Sequence, residues 1–126
     1  MRKRGFGWPL FAFVAGAVIA SRRVDLVEVR GHSMAPTLLP GDQLLVVRAG
    51  PPRVGDVVLA RDPTDSAREL IKRVACVDAS GVSLHGDNPA ASADARAFGT
   101  VPSEEVRWRA VARYWPPRRI GHVPGR

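Results

Sequence analysis

The chain shows two patterns of apolar and polar positions, and they divide it near residue 24. From Gly5 to Ser21 no residue is charged, with Arg2, Lys3 and Arg4 before the stretch and Arg22 and Arg23 after it. As a helix these residues, about 17 of them, would span about 26 Å against a hydrocarbon core of about 30 Å. Snorkelling arginines and an interfacial Trp8 make a short span workable, and Pro9 is tolerated near a helix start. Residues 1–23 are therefore expected to form a basic N-terminus and a single-pass membrane-anchor helix. Two other readings fit the same pattern. A cleaved secretory signal would use the small-residue exit at Val18-Ile19-Ala20, and a plain buried helix is opposed by the flanking charges. Basic residues at both ends leave the positive-inside rule a weak vote for a cytoplasmic N-terminus.

From residue 24 the period becomes that of strands. Leu26 to Arg30 alternates, Gln43 to Arg48 is an apolar run, and Asp56 to Ala60 and Glu69 to Val77 follow. Val82 to His85 pairs with the preceding strand across the turn Asp78-Ala79-Ser80-Gly81. Val106 to Tyr114 alternates again, with Val106, Trp108, Ala110, Ala112 and Tyr114 on one face. Pro40-Gly41-Asp42 and Ala49-Gly50-Pro51-Pro52 are turns. Short strands with turns between them predict a mainly β domain over residues 24–115, a compact barrel or sandwich. Residues 116–126 read as a loose basic tail.

Composition narrows the classes. The 126 residues have room for one domain with one modest core, and 45% apolar with 25% charged content is globular. The net charge of +7 raises nucleic acid or an anionic membrane surface as partners. The arginines are scattered and form no dense stripe, which disfavours nucleic acid. Cys76 is the single cysteine, so no intrachain disulfide exists. Its place in an apolar strand pattern predicts a core side chain. His32, His85 and His122 have no metal-ligand spacing, and no Gly-rich phosphate loop appears, so neither a metal nor a cofactor is expected.

Three segments carry candidate chemistry. In Gly31-His32-Ser33-Met34-Ala35-Pro36-Thr37-Leu38, Pro36 stiffens the turn that presents the Ser33 hydroxyl. In Glu69-Leu70-Ile71-Lys72-Arg73-Val74, strand alternation puts Lys72 on one face with Leu70 and Val74, and Arg73 on the other. Lys3 and Lys72 are the only lysines in a chain that otherwise uses arginine. The difference is chemical, because a desolvated lysine can lose its proton and an arginine cannot. The plain alternative is an edge-strand lysine that discourages aggregation. A base working near neutrality wants a pKa of about 7 to 8, whereas a free lysine titrates near about 10.4. The difference of about three units corresponds to roughly 4 kcal/mol of differential desolvation. A neutral Lys72 would take the proton of Ser33 as its hydroxyl attacks a carbonyl. In the third segment, Gly86 to Arg96, Asp87-Asn88-Pro89 is a turn, Ser92 could orient the lysine amine, and Asp94 can pair with Arg96. Read alone, that segment is a polar loop. His32 beside Ser33 points away from it on an extended chain, which disfavours a Ser–His pair.

The order and spacing of these segments resemble the type I signal peptidases, Ser–Lys endopeptidases that trim exported proteins. Ser33-Met34-x-Pro36-Thr37-Leu38 resembles their nucleophile box and Ile71-Lys72-Arg73-Val74 their lysine box. Gly86-Asp87-Asn88 with Ser92-x-Asp94-x-Arg96, Phe98-Gly99 and Val101-Pro102 resembles their last box, and Gly55-Asp56-Val57 the strand between. The likeness covers roughly residues 8–115. It implies a mostly β catalytic domain with Ser33 as nucleophile, Lys72 as general base, Ser92 orienting Lys72, and Asp94 with Arg96 bracing the site. Gly31 stands where many members have a serine that completes the oxyanion hole, so the hole would rest on backbone N–H groups, Ser33's among them. Ala95 replaces the usual serine between Asp94 and Arg96. The short form resembles mitochondrial inner-membrane peptidases and the maturation proteases of nickel superoxide dismutase.

The resemblance implies a preprotein or precursor substrate, bound as an added strand, with small residues before the cut. It implies a plasma-membrane enzyme with an extracytoplasmic catalytic domain. The anchor, with Met34 and Leu38 near the site, would hold the active face against lipid, although Met34 fits a plain core position equally well. A dedicated protease for one precursor, and a silent membrane-tethered β module that binds acidic partners, are the alternative readings.

Overall fold

A computed structural model of the chain describes residues 23–62, 65–88, 90 and 100–125. The expected anchor therefore lies outside the described residues. Among those described, no helix is long and apolar enough to cross a membrane.

Among the described residues, eight strands form one antiparallel sheet. They are β1 (Val24–Glu28), β2 (Gln43–Arg48), β3 (Val57–Asp62), β4 (Asp65–Asp78), β5 (Gly81–His85), β6 (Thr100–Val101), β7 (Trp108–Trp115) and β8 (Gly121–His122). The spatial order is β1-β2-β7-β3-β4-β5-β6, with β8 on β7. The mainly β expectation holds, and the barrel or sandwich is corrected to one open sheet. The path begins at β1 and ends at β6, which do not pair with each other. A two-residue β6 offers too short a ladder to close a barrel, whose strands must pair all round.

β4 is the long member, and it changes partner along its length. Its first part pairs β3, from Asp65 opposite Asp62 to Arg73 opposite Val57. Its second part pairs β5, from Arg73 opposite His85 to Asp78 opposite Gly81. Alternation gives the central strands two buried faces. Val57 and Ala110 join Val29, Met34, Leu38, Leu44, Val46 and Val123 in one core, with Ile71 and Trp108 packed against it. Val58, Ala60, Val74, Val82, Leu84, Val101 and Val106 form the second core.

Three sequence expectations change here. Cys76 is exposed rather than core, because a register shift between Val74 and Cys76 breaks the alternation of β4. Val106 precedes β7 and belongs to the second core, away from Trp108 and Ala110. The tail is tied in: β8 pairs β7 through Ala112–His122, and Val123 is buried.

The β4–β5 hairpin forms as its sequence dictates. Asp78 Oδ1 accepts from Ser80 N at 2.8 Å, an Asx turn. Gly81 then adopts φ +131°, and a Cβ built on it would stand 2.5 Å from Val101 O and 2.8 Å from Thr100 Cγ2. Close approach of β6 thus requires glycine at this position. Gly81→Ala should destabilise the fold by about 2–4 kcal/mol through backbone strain and overpacking. Urea unfolding checks this, and a midpoint equal to that of the wild type would contradict it.

Candidate active site

Ser33 lies on the loop between β1 and β2, and that loop closes on itself at its neck. Val29 N donates to Asp42 O at 2.8 Å, and Gly41 N donates to Val29 O at 2.9 Å. Inside the loop, Ala35 N donates to His32 O at 3.1 Å and Leu38 N to Met34 O at 2.9 Å. One helical turn sets Met34 and Leu38 on the same side, and both are fully buried in the first core. They anchor the loop inward, so neither side chain is available to touch lipid. Between exposed His32 and buried Met34, Ser33 is half-buried. Gly31 is exposed at φ +77°, with no heavy atom within 4 Å of a Cβ placed there. A serine there would have room but would need a left-handed backbone.

Lys72 occupies the middle of β4 opposite Val58 and is 5% exposed. It shares its face with Val58 and Val74 of the second core. The strand is pinned two residues further on by the Gly55-Asp56 turn: Gly55 N donates to Val74 O at 2.9 Å and Val74 N to Asp56 O at 2.8 Å. The Gly-Asp-Val segment picked out in the sequence thus holds the strand that carries the lysine.

Residues 87 and 88 join the two segments. Asn88 N donates to Ser33 O at 2.9 Å, and Asn88 Nδ2 donates to His32 O at 3.0 Å. Thr37 Oγ1 donates to Asp87 Oδ2 at 2.6 Å. Asp87 also receives Arg73 Nε at 2.9 Å and Arg73 Nη2 at 2.8 Å, a two-pronged ion pair. Arg73 Nη1 reaches Gly55 O at 2.8 Å and Pro124 O at 2.9 Å. Arg73 follows Lys72 directly and pairs with His85, so these contacts tie the Ser33 loop, through the residue next to Lys72 in sequence, to the end of the β4–β5 pair. Ser92, Asp94 and Arg96 lie outside the described residues. Among the described residues no group of three or more His, Cys, Asp or Glu side chains is placed to hold a metal ion.

The Arg73 hydrogen bonds hold the Asp87 carboxyl below the usual carboxylate range. Burial opposes this, while the Thr37 hydroxyl and the charge of Arg73 add to it. Arg73 is correspondingly raised by its hydrogen bond to Asp87, against the cost of burial. The sequence had Arg73 pointing away from Lys72 and Asp87 in a turn, and gave no sign that they meet. Alternation alone places Arg73 on the face opposite Lys72, but not its partner 14 positions away.

Comparison with known proteins places the sequence among proteases. The family described as signal peptidase, peptidase S26, matches residues 4–84. The chain is similar to the mitochondrial ATP-independent inner membrane protease subunit 1a of Arabidopsis thaliana, at 34% identity over 79% of this chain and 76% of that protein. It is similar to the mitochondrial inner membrane protease subunit 1 of Schizosaccharomyces pombe, at 31% identity over 68% of this chain and 70% of that one. It also resembles signal peptidase I of Streptococcus pneumoniae, at 38% identity over 53% of this chain and 33% of that protein.

The depressed Asp87 carboxyl sets a pH dependence of stability. Its contribution is complete above the unfolded carboxylate pKa of about 4 and is lost as pH falls through the lower folded value. Asp87→Asn should therefore be less stable than wild type at pH 6, with the gap narrowing below about pH 4. Thermal unfolding across pH checks this, and a gap that does not depend on pH would contradict it.

Proposed function

The chain belongs to the signal peptidase family, peptidase S26, and from that membership we propose a membrane-bound serine endopeptidase that uses Ser33 and Lys72 as its dyad. It is a protease by family, and the dyad, the substrate and the membrane are the parts proposed here. The observation that carries the dyad is the docking of the Ser33 loop, through Asn88 and Asp87, onto the strand pair in which Lys72 is buried.

Burial on an apolar face disfavours the ammonium form of a lysine. A neutral Lys72 amine takes the proton from Ser33 Oγ as the oxygen attacks the scissile carbonyl carbon. The resulting ammonium protonates the leaving amine, and the peptide bond breaks to leave an ester on Ser33. Water, deprotonated by the same amine, attacks the ester and releases the acid. The Ser33 N–H serves the oxyanion in a chain with Gly31 at the usual serine position, and losing one donor of such a hole costs on the order of 100-fold in rate. In this reading Ser92 orients Lys72, and Asp94 with Arg96 braces the site.

The substrate is a preprotein or precursor with small residues before the cut, laid along β4 as an extra strand. Among the described residues, β4 before Arg73 pairs with β3 alone, and its other edge is the one we propose for the substrate. Two relatives are named as inner-membrane proteases of mitochondria, which supports action at a membrane. Residues 5–21 would provide the anchor, and the cell membrane with an extracytoplasmic catalytic domain is the setting we propose. Anchoring would concentrate the enzyme with substrates held in the same bilayer.

Ser33→Ala and Lys72→Ala should each lower turnover of a signal-peptide substrate by at least about 1,000-fold. Wild-type activity should rise with an apparent pKa well below the roughly 10.4 of a free lysine. Full activity in Lys72→Ala would remove the mechanism. Cleavage of generic Ala-x-Ala peptides, set against cleavage of a single precursor such as that of nickel superoxide dismutase, separates a general from a dedicated enzyme.

A further inference from the structure

The turn that follows β7 reaches back to the loop that carries Ser33. Asp42 closes that loop, is 2% exposed, and receives two guanidinium groups on Oδ2. Arg113, on β7, donates Nη1 to that oxygen at 3.1 Å, and Arg119, in the turn Pro117–Arg119, donates Nη2 to it at 3.3 Å. The same oxygen accepts Leu39 N at 2.9 Å. Both arginines also reach the Thr37 carbonyl, Arg113 Nη1 at 3.0 Å and Arg119 Nη2 at 3.5 Å. Arg113 Nε donates to Arg119 O, so the turn and the strand hold each other.

Thr37 is thus gripped from two sides. Its hydroxyl goes to Asp87, and its carbonyl goes to the two arginines. Ser33 stands four residues earlier in the same closed loop, with its own carbonyl fixed by Asn88. A loop held at its neck and on both flanks cannot swing its serine. Arg119 Nε is buried without a hydrogen-bond partner among the described residues. An unsatisfied buried donor lowers stability, and an apolar side chain would fill the same space at less cost. What arginine adds is the pair of Nη contacts on the loop.

We infer that Arg119, supported by Arg113, is a positioning residue that sets the direction of Ser33 Oγ by holding Thr37 and Asp42. The inference rests on Ser33 being the nucleophile, as proposed above. The test compares full-chain wild type, Ser33→Ala, Arg119→Gln and Val123→Ala on a peptide with small residues before the cut, with rates expressed per folded enzyme. Val123→Ala loosens the same C-terminal segment without touching Asp42. Arg119→Gln should lower kcat on the order of tenfold or more, since displacement of a reacting group by about 1 Å can cost that much. KM should stay within about threefold, and the apparent pKa of the profile should not move. Val123→Ala should lower Tm and keep its kcat. If Ser33→Ala is inactive and Arg119→Gln keeps its kcat, the positioning role fails while the dyad stands. A change confined to KM, or a kcat loss matched by Val123→Ala, also overturns it. An active Ser33→Ala removes the nucleophile assignment itself, and the positioning role with it.

Discussion

β4 turns Ile71 and Arg73 to one face of the sheet and Lys72 with Val74 to the other, and that alternation constrains everything around the site. Ile71 packs against the core that holds Met34 and Leu38, the two inward anchors of the serine loop. Arg73 ties the end of β5 to that loop through Asp87 and Thr37. Lys72, between them in sequence, is left on the apolar side opposite Val58. A one-residue slip of β4 would exchange these roles at once, exposing the amine's face to the wrong core and breaking the Arg73 contacts.

The serine loop is held by partners from four separate parts of the chain. Its own neck supplies Val29 and Asp42, the segment after β5 supplies Asp87 and Asn88, β7 supplies Arg113, and the following turn supplies Arg119. Such a seat matters for the proposed chemistry. A serine whose proton is taken by a single amine depends on near-attack geometry with that amine, and small displacements are costly. The same segment that seats the loop also fills the core, because Val123 is buried with Met34 and Leu38. Within the C-terminal residues the two tasks are divided: Val123 fills the core, and Arg119 holds the loop.

Local periodicity made much of the sheet legible. The apolar run of β2 matches Gln43–Arg48, and the Asp78–Gly81 turn with Gly81 at its end yields the β4–β5 hairpin. The three ordered boxes named the family that the comparisons support. Periodicity says which side a residue faces and not which strand lies beside it, so the pairing of β7 with both β2 and β3 was out of reach. Asp42 reads as a turn residue after Pro40-Gly41; its burial depends on a guanidinium 71 positions away. The ordered tail was missed for the same reason, since its Arg- and Gly-rich composition hides one buried valine and a carbonyl that Arg73 needs. Cys76 was misplaced by a bulge that no local pattern announces.

The proposed account stands on an amine held out of water beside a serine loop. With Lys3 and Lys72 the only lysines, labelling of lysine alone would give two side-chain signals. Following them by NMR across pH, with Lys3→Arg to assign them, reads the Lys72 titration directly. The account predicts a midpoint well below the roughly 10.4 of a free lysine, with the second signal near that value. A Lys72 signal that stays protonated to pH 10 or above would contradict it.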